Sequence, residues 1–264
     1  MITAQLMGGL GNTMFQIAAC TALAADNGDI CAFVHQTPGM QGSSTTTYTE
    51  NILNKIKFLG VNELKLEAVY QEPNFHFNKL PYTNNMMLRG YFQSEKYFAH
   101  HTEKIREVFK PTPEIKKYVE DKYSFILDRE SIMARETIGV HVRRGDYLEL
   151  LDTHPVCEKD YYDSALGVFK GTSQYDIIFF SDDIEWCKAE FGAGAQYIEG
   201  APDYIDLYLM SMCKHNIIAN SSFSWWAAWL NTNPWKIVVA PKKWFGPAVS
   251  HDIKDLMPDG WIKK

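Results

Sequence analysis

Three absences narrow what this chain can be. No stretch approaches the roughly 18 consecutive apolar residues of a bilayer span. The amino terminus has no basic region followed by an apolar run, so neither an integral membrane segment nor a secretory leader is expected, and peripheral membrane association is left open. Positive charge is in short supply. The 26 lysines and arginines face 32 acidic residues, for a formal net charge of −6, which argues against nucleic acid as a partner. Cysteine is thin as well. Cys20, Cys31, Cys157, Cys187 and Cys213 are odd in number, scattered, and never spaced Cys-x-x-Cys. Free thiols in a reducing compartment are expected, not a disulfide frame or a cysteine zinc site, and a cytoplasmic protein fits all three absences.

What is present supports a sizeable core. Hydrophobic residues make up 46% and aromatics 14% of 264 residues, enough for one large domain or two modest ones. The most informative stretch is Ile138–Tyr147, I-G-V-H-V-R-R-G-D-Y. Its first half alternates as a strand does, placing His141 and Arg143 on one face and Val140 and Val142 on the other. Arg143 and Arg144 then point to opposite sides, so one of them serves a given ligand more easily. A guanidinium at the carboxyl end of a strand suits a phosphate or carboxylate; a plain surface ion pair with Asp146 is the competing account.

The chain opens with a strand at Ile2–Met7, a glycine turn Gly8-Gly9-Leu10-Gly11-Asn12, and a helix from Thr13 to Asp26. Met14 stands where a dinucleotide fingerprint needs its third glycine, which disfavours a nicotinamide oxidoreductase. Gly9 and Gly11 let the backbone approach a ligand, and the helix start offers N–H groups to an anion. A second strand is expected at Ile30–His35 and a polar surface loop over Gln36–Thr49. A helix opened by Ser94 as N-cap is expected to run to about Phe109. Pro113 to Arg135 is expected as a connecting helix, giving domains at 1–112 and 137–264 with the 113–136 linker between them.

From Thr137 onward, short strands and helices alternate, as in a parallel sheet covered by helices. Strands are expected near Thr137–Val142, Asp176–Ser181, Gln196–Ile198, Asn216–Asn220 and Lys236–Ala240. Helices are expected near Asp160–Lys170, Ile184–Phe191, Asp203–His215 and Ser222–Asn231. Two strand ends carry polar groups. Of Asp182 and Asp183, one is expected to accept from a base or ribose and the other to cap the next helix. At Asn220-Ser221-Ser222-Phe223, small hydroxyl residues open an apolar helix, so hydroxyls and free backbone N–H groups face one anion, although serines there also serve as plain caps.

Five collinear segments carry a resemblance. They are Gly8-Gly9-Leu10-Gly11-Asn12 with Met14-Phe15-Gln16, Gly90–Phe98, His141–Tyr147, Phe180–Asp183, and Asn220–Trp229. Together they resemble the galactoside α-1,2-fucosyltransferase family over nearly the whole chain. The resemblance implies an α/β glycosyltransferase of the GT-B kind, with two Rossmann-like halves facing a cleft. It implies inverting transfer of fucose from GDP-fucose to the 2-hydroxyl of a β-galactoside, without a cofactor or metal. Arg143 would grip the β-phosphate and His141 would support the diphosphate. Asp182 would read guanine or ribose. Asn220, Ser221, Ser222 and Phe223 would close around the nucleotide, with Asn12 near the fucose or its phosphate. The sequence has no Asp-x-Asp triplet to hold a metal, and Arg143 with the helix start at Ser221–Phe223 can meet the charge that grows on the departing diphosphate. Asp146 is the leading candidate for catalytic base, with Glu149 next. Thr13 stands where the family usually has Gln, and residues 39–89 carry no readable acceptor motif. Transfer to another position or to a protein hydroxyl, and a nucleotide-sugar-binding protein without turnover, are the alternatives.

Overall fold

A computed structural model of the chain describes residues 1–35, 45–124, 136–169 and 175–264. They form two compact units, Met1–Thr112 with His251–Pro258, and Pro113–Ser250 with Asp259–Lys264. Both are α/β with parallel sheets.

In the first unit, β1 (Ile2–Ala4), β2 (Ala68–Gln71) and β3 (Met86–Arg89) pair in the order β1-β3-β2, all parallel. The helix Leu10–Asp26 packs on this sheet through a nearly continuous buried run that includes Met14, Phe15 and Ile17. It begins three residues earlier than expected, so Gly11 and Asn12 lie in its first turn and only Gly8-Gly9 form the bend. The expected strand at Ile30–His35 is reduced to isolated bridges, Cys31 to Ile2 and Phe33 to Phe58. Of the expected loop, residues 36–44 lie outside the described residues, and Thr45–Tyr48 is a short 3-10 turn with Thr45 and Tyr48 buried. Ser94 does cap, accepting from the Lys96 N–H. The segment then makes two 3-10 turns before the helix Thr102–Val108, because Phe98 leaves helical geometry (φ −145°) to bury its ring beside Phe15.

The second unit holds a six-stranded parallel sheet: β4 (Glu136–Val142), β5 (Tyr175–Ser181), β6 (Gln196–Tyr197), β7 (His215–Ile217), β8 (Val238–Ala240) and β9 (Ile262–Lys263). Its order is β6-β5-β4-β7-β8-β9. Counted from β4 this is the 3-2-1-4-5-6 order of a doubly wound sheet, whose direction of winding reverses between β4 and β7. Such a fold binds ligands at the carboxyl ends of those two strands, because the following loops part there. β4 is central and buried on both faces apart from its first residue. Gly139 lets the helix Asp203–Met212 lie close, since a Cβ there would sit 3.0 Å from Cys213 Sγ. The helix Ser222–Leu230 packs on Asp203–Met212 and buries Trp225 and Trp226 completely.

Two expected boundaries change. The helix Pro113–Lys122 is no free linker: it belongs to the second unit, where it packs on Asp203–Met212 and buries Val119. The remainder of the expected helix, 125–135, lies outside the described residues. Residues 251–258 join the first unit. The Asp255 carboxylate accepts from Phe77 N–H (3.1 Å) and Lys96 Nζ (2.5 Å), its carbonyl accepts from Ser94 Oγ (2.6 Å), and the His251 ring stacks on Phe75.

Candidate functional site

The polar residues of the candidate site follow β4, β5 and β7, on either side of the reversal of the sheet. Arg143 leaves the end of β4 and is held by two carboxylates. Its Nη2 donates to Asp146 Oδ1 at 2.6 Å, and its Nη1 pairs with Asp182 Oδ2 at 2.7 Å. The guanidinium lies 5.2 Å from the Tyr147 ring centroid, and the Tyr147 hydroxyl donates to the Asn220 carbonyl at 3.3 Å, tying the β4 loop to the β7 loop. Burial pushes the Tyr147 phenol up to about 12, so it remains a neutral donor. Arg144 turns the other way, donating from Nε to Asp183 Oδ2 (3.0 Å) and stacking on Trp186 at 4.3 Å. Its side chain is 13% exposed against 34% for Arg143, so Arg143 is the arginine a ligand can reach.

Asp182 and Asp183 divide the work. Asp183 accepts from Trp186 N–H and caps the helix Ile184–Phe191. Asp182 accepts the Arg144 backbone N–H with Oδ1 (2.9 Å) while Oδ2 holds Arg143. A base or ribose would therefore have to share it with the arginine loop. Gly145 is required by this close approach, because a Cβ there would stand 2.5 Å from Asp182 Oδ2.

His141 is buried under the site, with its ring 5.3 Å from that of Phe223. Burial, reinforced by the nearby Arg143 charge, drives its pKa down to about 3. It is a neutral imidazole whose Nδ1 has no protein partner. The helix Ser222–Leu230 begins beside it with Ser221 as N-cap, and the Ser221 side chain makes no capping bond. First-turn N–H groups without a side-chain cap suit an anion.

Asn220 lies at the end of the same β7 loop, just before the helix start. Its amide points inward, donating to the Pro155 carbonyl (2.8 Å) and the Trp244 carbonyl (3.0 Å), while Cys157 Sγ donates to its oxygen at 3.5 Å. Its side chain thereby joins its own loop to those of Pro155 and Trp244. Glu149 is exposed on the turn Gly145–Glu149.

The first unit has its own polar cluster. Gly8 adopts φ +80°, and a Cβ there would collide with Asn12 Nδ2. Asn12 Oδ1 accepts from Gln93 Nε2 at 2.7 Å, and Gln16 donates to the Gly90 carbonyl at 3.1 Å, so the glycine turn and the Gly90–Gln93 segment form one structure. Phe92, fully buried, is held at φ +53°, a strained backbone for a bulky residue. Glu72 clamps it. Its carboxylate accepts from Tyr91 N–H (2.7 Å) and Phe92 N–H (3.0 Å), and burial lifts its pKa to about 7 against the pull of those two bonds. Glu72→Gln tests the clamp. A raised carboxyl pKa gives stability that is present below pH 4.5 and lost as pH rises through about 7. Relative to the variant, the native chain is therefore expected to lose about 2 kcal/mol between pH 5 and pH 8 in urea titrations.

The chain matches the model of glycosyl transferase family 11 over residues 1–263. It belongs to that family. Among curated relatives, it is 30% identical to an Escherichia coli α-1,2-colitosyltransferase over 99% of this chain and 98% of that protein. It is 28% identical to Bos taurus galactoside α-(1,2)-fucosyltransferase 1 over 84% of this chain, a match spanning 64% of the longer bovine protein. Among solved structures, fucosyltransferase NodZ from Bradyrhizobium superposes with a TM-score of 0.54 at 15% identity, over 86% of this chain and 91% of that one. That likeness concerns the fold.

As a family 11 glycosyltransferase, the chain gathers His141, Arg143, Asp146, Asp182, Ser221, Ser222 and Phe223 in its second unit, around the end of β4 and the N-terminus of the Ser222–Leu230 helix. Gly9, Gly11 and Asn12 lie in the first unit. Tyr147, Glu72 and Gln93 carried no assigned role in the sequence. Tyr147 lay inside a recognised motif, whereas Glu72 had no signal, because its partners are 19 and 20 residues away. No helix among the described residues is long and apolar enough to cross a membrane.

Proposed function

We propose that this glycosyltransferase moves L-fucose from GDP-fucose to the 2-hydroxyl of a terminal β-galactoside, with inversion and without a metal. The observation that carries it is the Arg143 fork, preorganised by two carboxylates at the reversal of the sheet, in a chain whose relatives are named α-1,2-colitosyl- and α-(1,2)-fucosyltransferases. As the acceptor hydroxyl attacks the anomeric carbon, negative charge collects on the departing β-phosphate. Arg143 and the first-turn N–H groups after Ser221 meet that charge without reorganising, which is the most effective form of electrostatic catalysis. The second unit then holds the donor and the first receives the acceptor, as a GT-B pair.

Asp146 acts as the partner an arriving diphosphate displaces. Its side chain is 59% exposed and holds Arg143 alone, whereas Asp182 is 26% exposed and also anchors the Arg144 backbone. A dissociative transition state needs little help from a base. Asp146→Asn is accordingly expected to lower the KM for GDP-fucose and to change kcat by less than about tenfold. A kcat loss of about 100-fold or more would instead make Asp146 the base.

GDP release from GDP-fucose, followed over a panel of β-galactosides with EDTA present, tests the whole assignment. Turnover that survives EDTA, with an α-1,2 linkage by NMR, is expected. Binding without turnover, EDTA inhibition or another linkage would overturn it. A second donor has a specific observation in its favour, the full-length match to a colitosyltransferase. Colitose is fucose lacking one ring hydroxyl, so GDP-colitose belongs in the same assay, where the better kcat/KM identifies the donor.

A further inference from the structure

At the carboxyl end of its long helix, opposite the glycine turn, the first unit brings three metal-binding side chains together. Asp26 is the last residue of Leu10–Asp26, and His100 and His101 sit on the 3-10 turn before Thr102–Val108. His101 Nε2 lies 2.7 Å from Asp26 Oδ1, and His100 Nε2 lies 3.1 Å from the same oxygen. The three donor atoms all fall within 4.8 Å of one another. We propose that Asp26, His100 and His101 form a zinc site that staples the helix Leu10–Asp26 to the turn before Thr102–Val108, separate from the glycosyl-transfer machinery.

Three features support it. The Asp–His spacings are close to what the ion needs: zinc bonds of about 2.0–2.1 Å to nitrogen and oxygen put tetrahedral ligand atoms roughly 3.3 Å apart, against 2.7 and 3.1 Å from Asp26 Oδ1 to the two imidazole nitrogens. Both imidazoles present the same atom, Nε2, to one carboxylate, as two ligands of a single ion do. The carboxylate also stands at the wrong end of its helix. Asp26 adds negative charge to a carboxyl terminus whose last turn has no basic residue, and a bound cation would relieve that repulsion. Two imidazoles and a carboxylate are a borderline-soft set that selects zinc or its neighbours over magnesium or calcium. All three side chains are partly exposed, so an ion has a way in, and three protein ligands leave one tetrahedral position for water.

Calorimetric titration of chelator-treated, tag-free protein with zinc chloride tests the site. One ion per chain is expected, with a rise in Tm that grows with free zinc. His100→Ala or His101→Ala should each weaken binding about tenfold or more, and the double variant should abolish it. Cobalt should give the intense visible absorption of a four-coordinate ion in the native chain and lose it in the double variant. Zinc affinity unchanged in the double variant, or only the weak absorption of six-coordinate cobalt, would overturn the site. Transfer activity of the zinc-free double variant is expected to equal that of the zinc-free native chain. A fall in that activity with the fold intact would contradict the separation from the transfer machinery.

Discussion

Arg143→Lys lowers kcat/KM by about 2–4 kcal/mol, roughly 30- to 1,000-fold, without unfolding the protein. The size follows from geometry. Arg143 spans Asp146 and Asp182 with two different nitrogens at 2.6 and 2.7 Å, and the remaining N–H groups of a planar fork stay fixed in direction. An ammonium is a point charge on a flexible stem and cannot stay paired with Asp182 while holding a second, fixed donor on the diphosphate that displaces Asp146. Lysine would keep the net charge, so ground-state attraction for the donor survives while directed stabilisation of the leaving diphosphate is lost. The loss should therefore fall on kcat more than on KM for GDP-fucose. Steady-state kinetics with both substrates varied, on protein checked by circular dichroism, decides it. Activity within about twofold of native would remove Arg143 from the transition state.

The parts legible from sequence were those whose cause is local. Ile138–Val142 read as a strand from its alternation and Ile177–Phe180 from its apolar run, and these are β4 and β5, paired inside the parallel sheet. The helix starts at Ile184 and Ser222 were visible from the small polar residues before them. β2 was not visible. It pairs at a sheet edge, alternates half-buried with exposed positions, and leaves Val69 53% exposed, so its pattern is faint. β9, two exposed residues, had no pattern at all.

Side-chain direction was the least legible feature of the site. Asn220 stands next to the serines of the helix start in sequence, yet its amide serves the Pro155 and Trp244 carbonyls, residues brought close only by folding. The two arginines could be separated by alternation, but which of them meets solvent depends on Trp186, 42 residues beyond Arg144 in sequence, whose ring covers one and not the other. The Glu72 clamp is non-local in the same way, joining a stretch without motifs to a recognised one.

His141 carries the largest expected dependence on pH. It ends almost fully buried on β4, beside Arg143, with a pKa of about 3 where an exposed imidazole has 6.5. Above pH 6.5 the imidazole is neutral in both folded and unfolded chains, and its contribution to stability is complete. Below that, the unfolded chain takes up a proton that the folded chain refuses until about pH 3, so stability falls by about 1.4 kcal/mol per pH unit, approaching 5 kcal/mol in all. Glu72 and Asp206 oppose this in the raw curve, because burial lifts both to about 7 and their contribution is lost as pH rises. The difference between native protein and His141→Gln isolates the histidine. From pH 7.5 to pH 5, the native chain should lose about 2 kcal/mol relative to the variant in urea unfolding. A flat difference would mean that His141 titrates normally. It could then face a diphosphate as a cation beside Arg143, and the charge that meets the leaving group would be shared between two side chains instead of resting on one guanidinium.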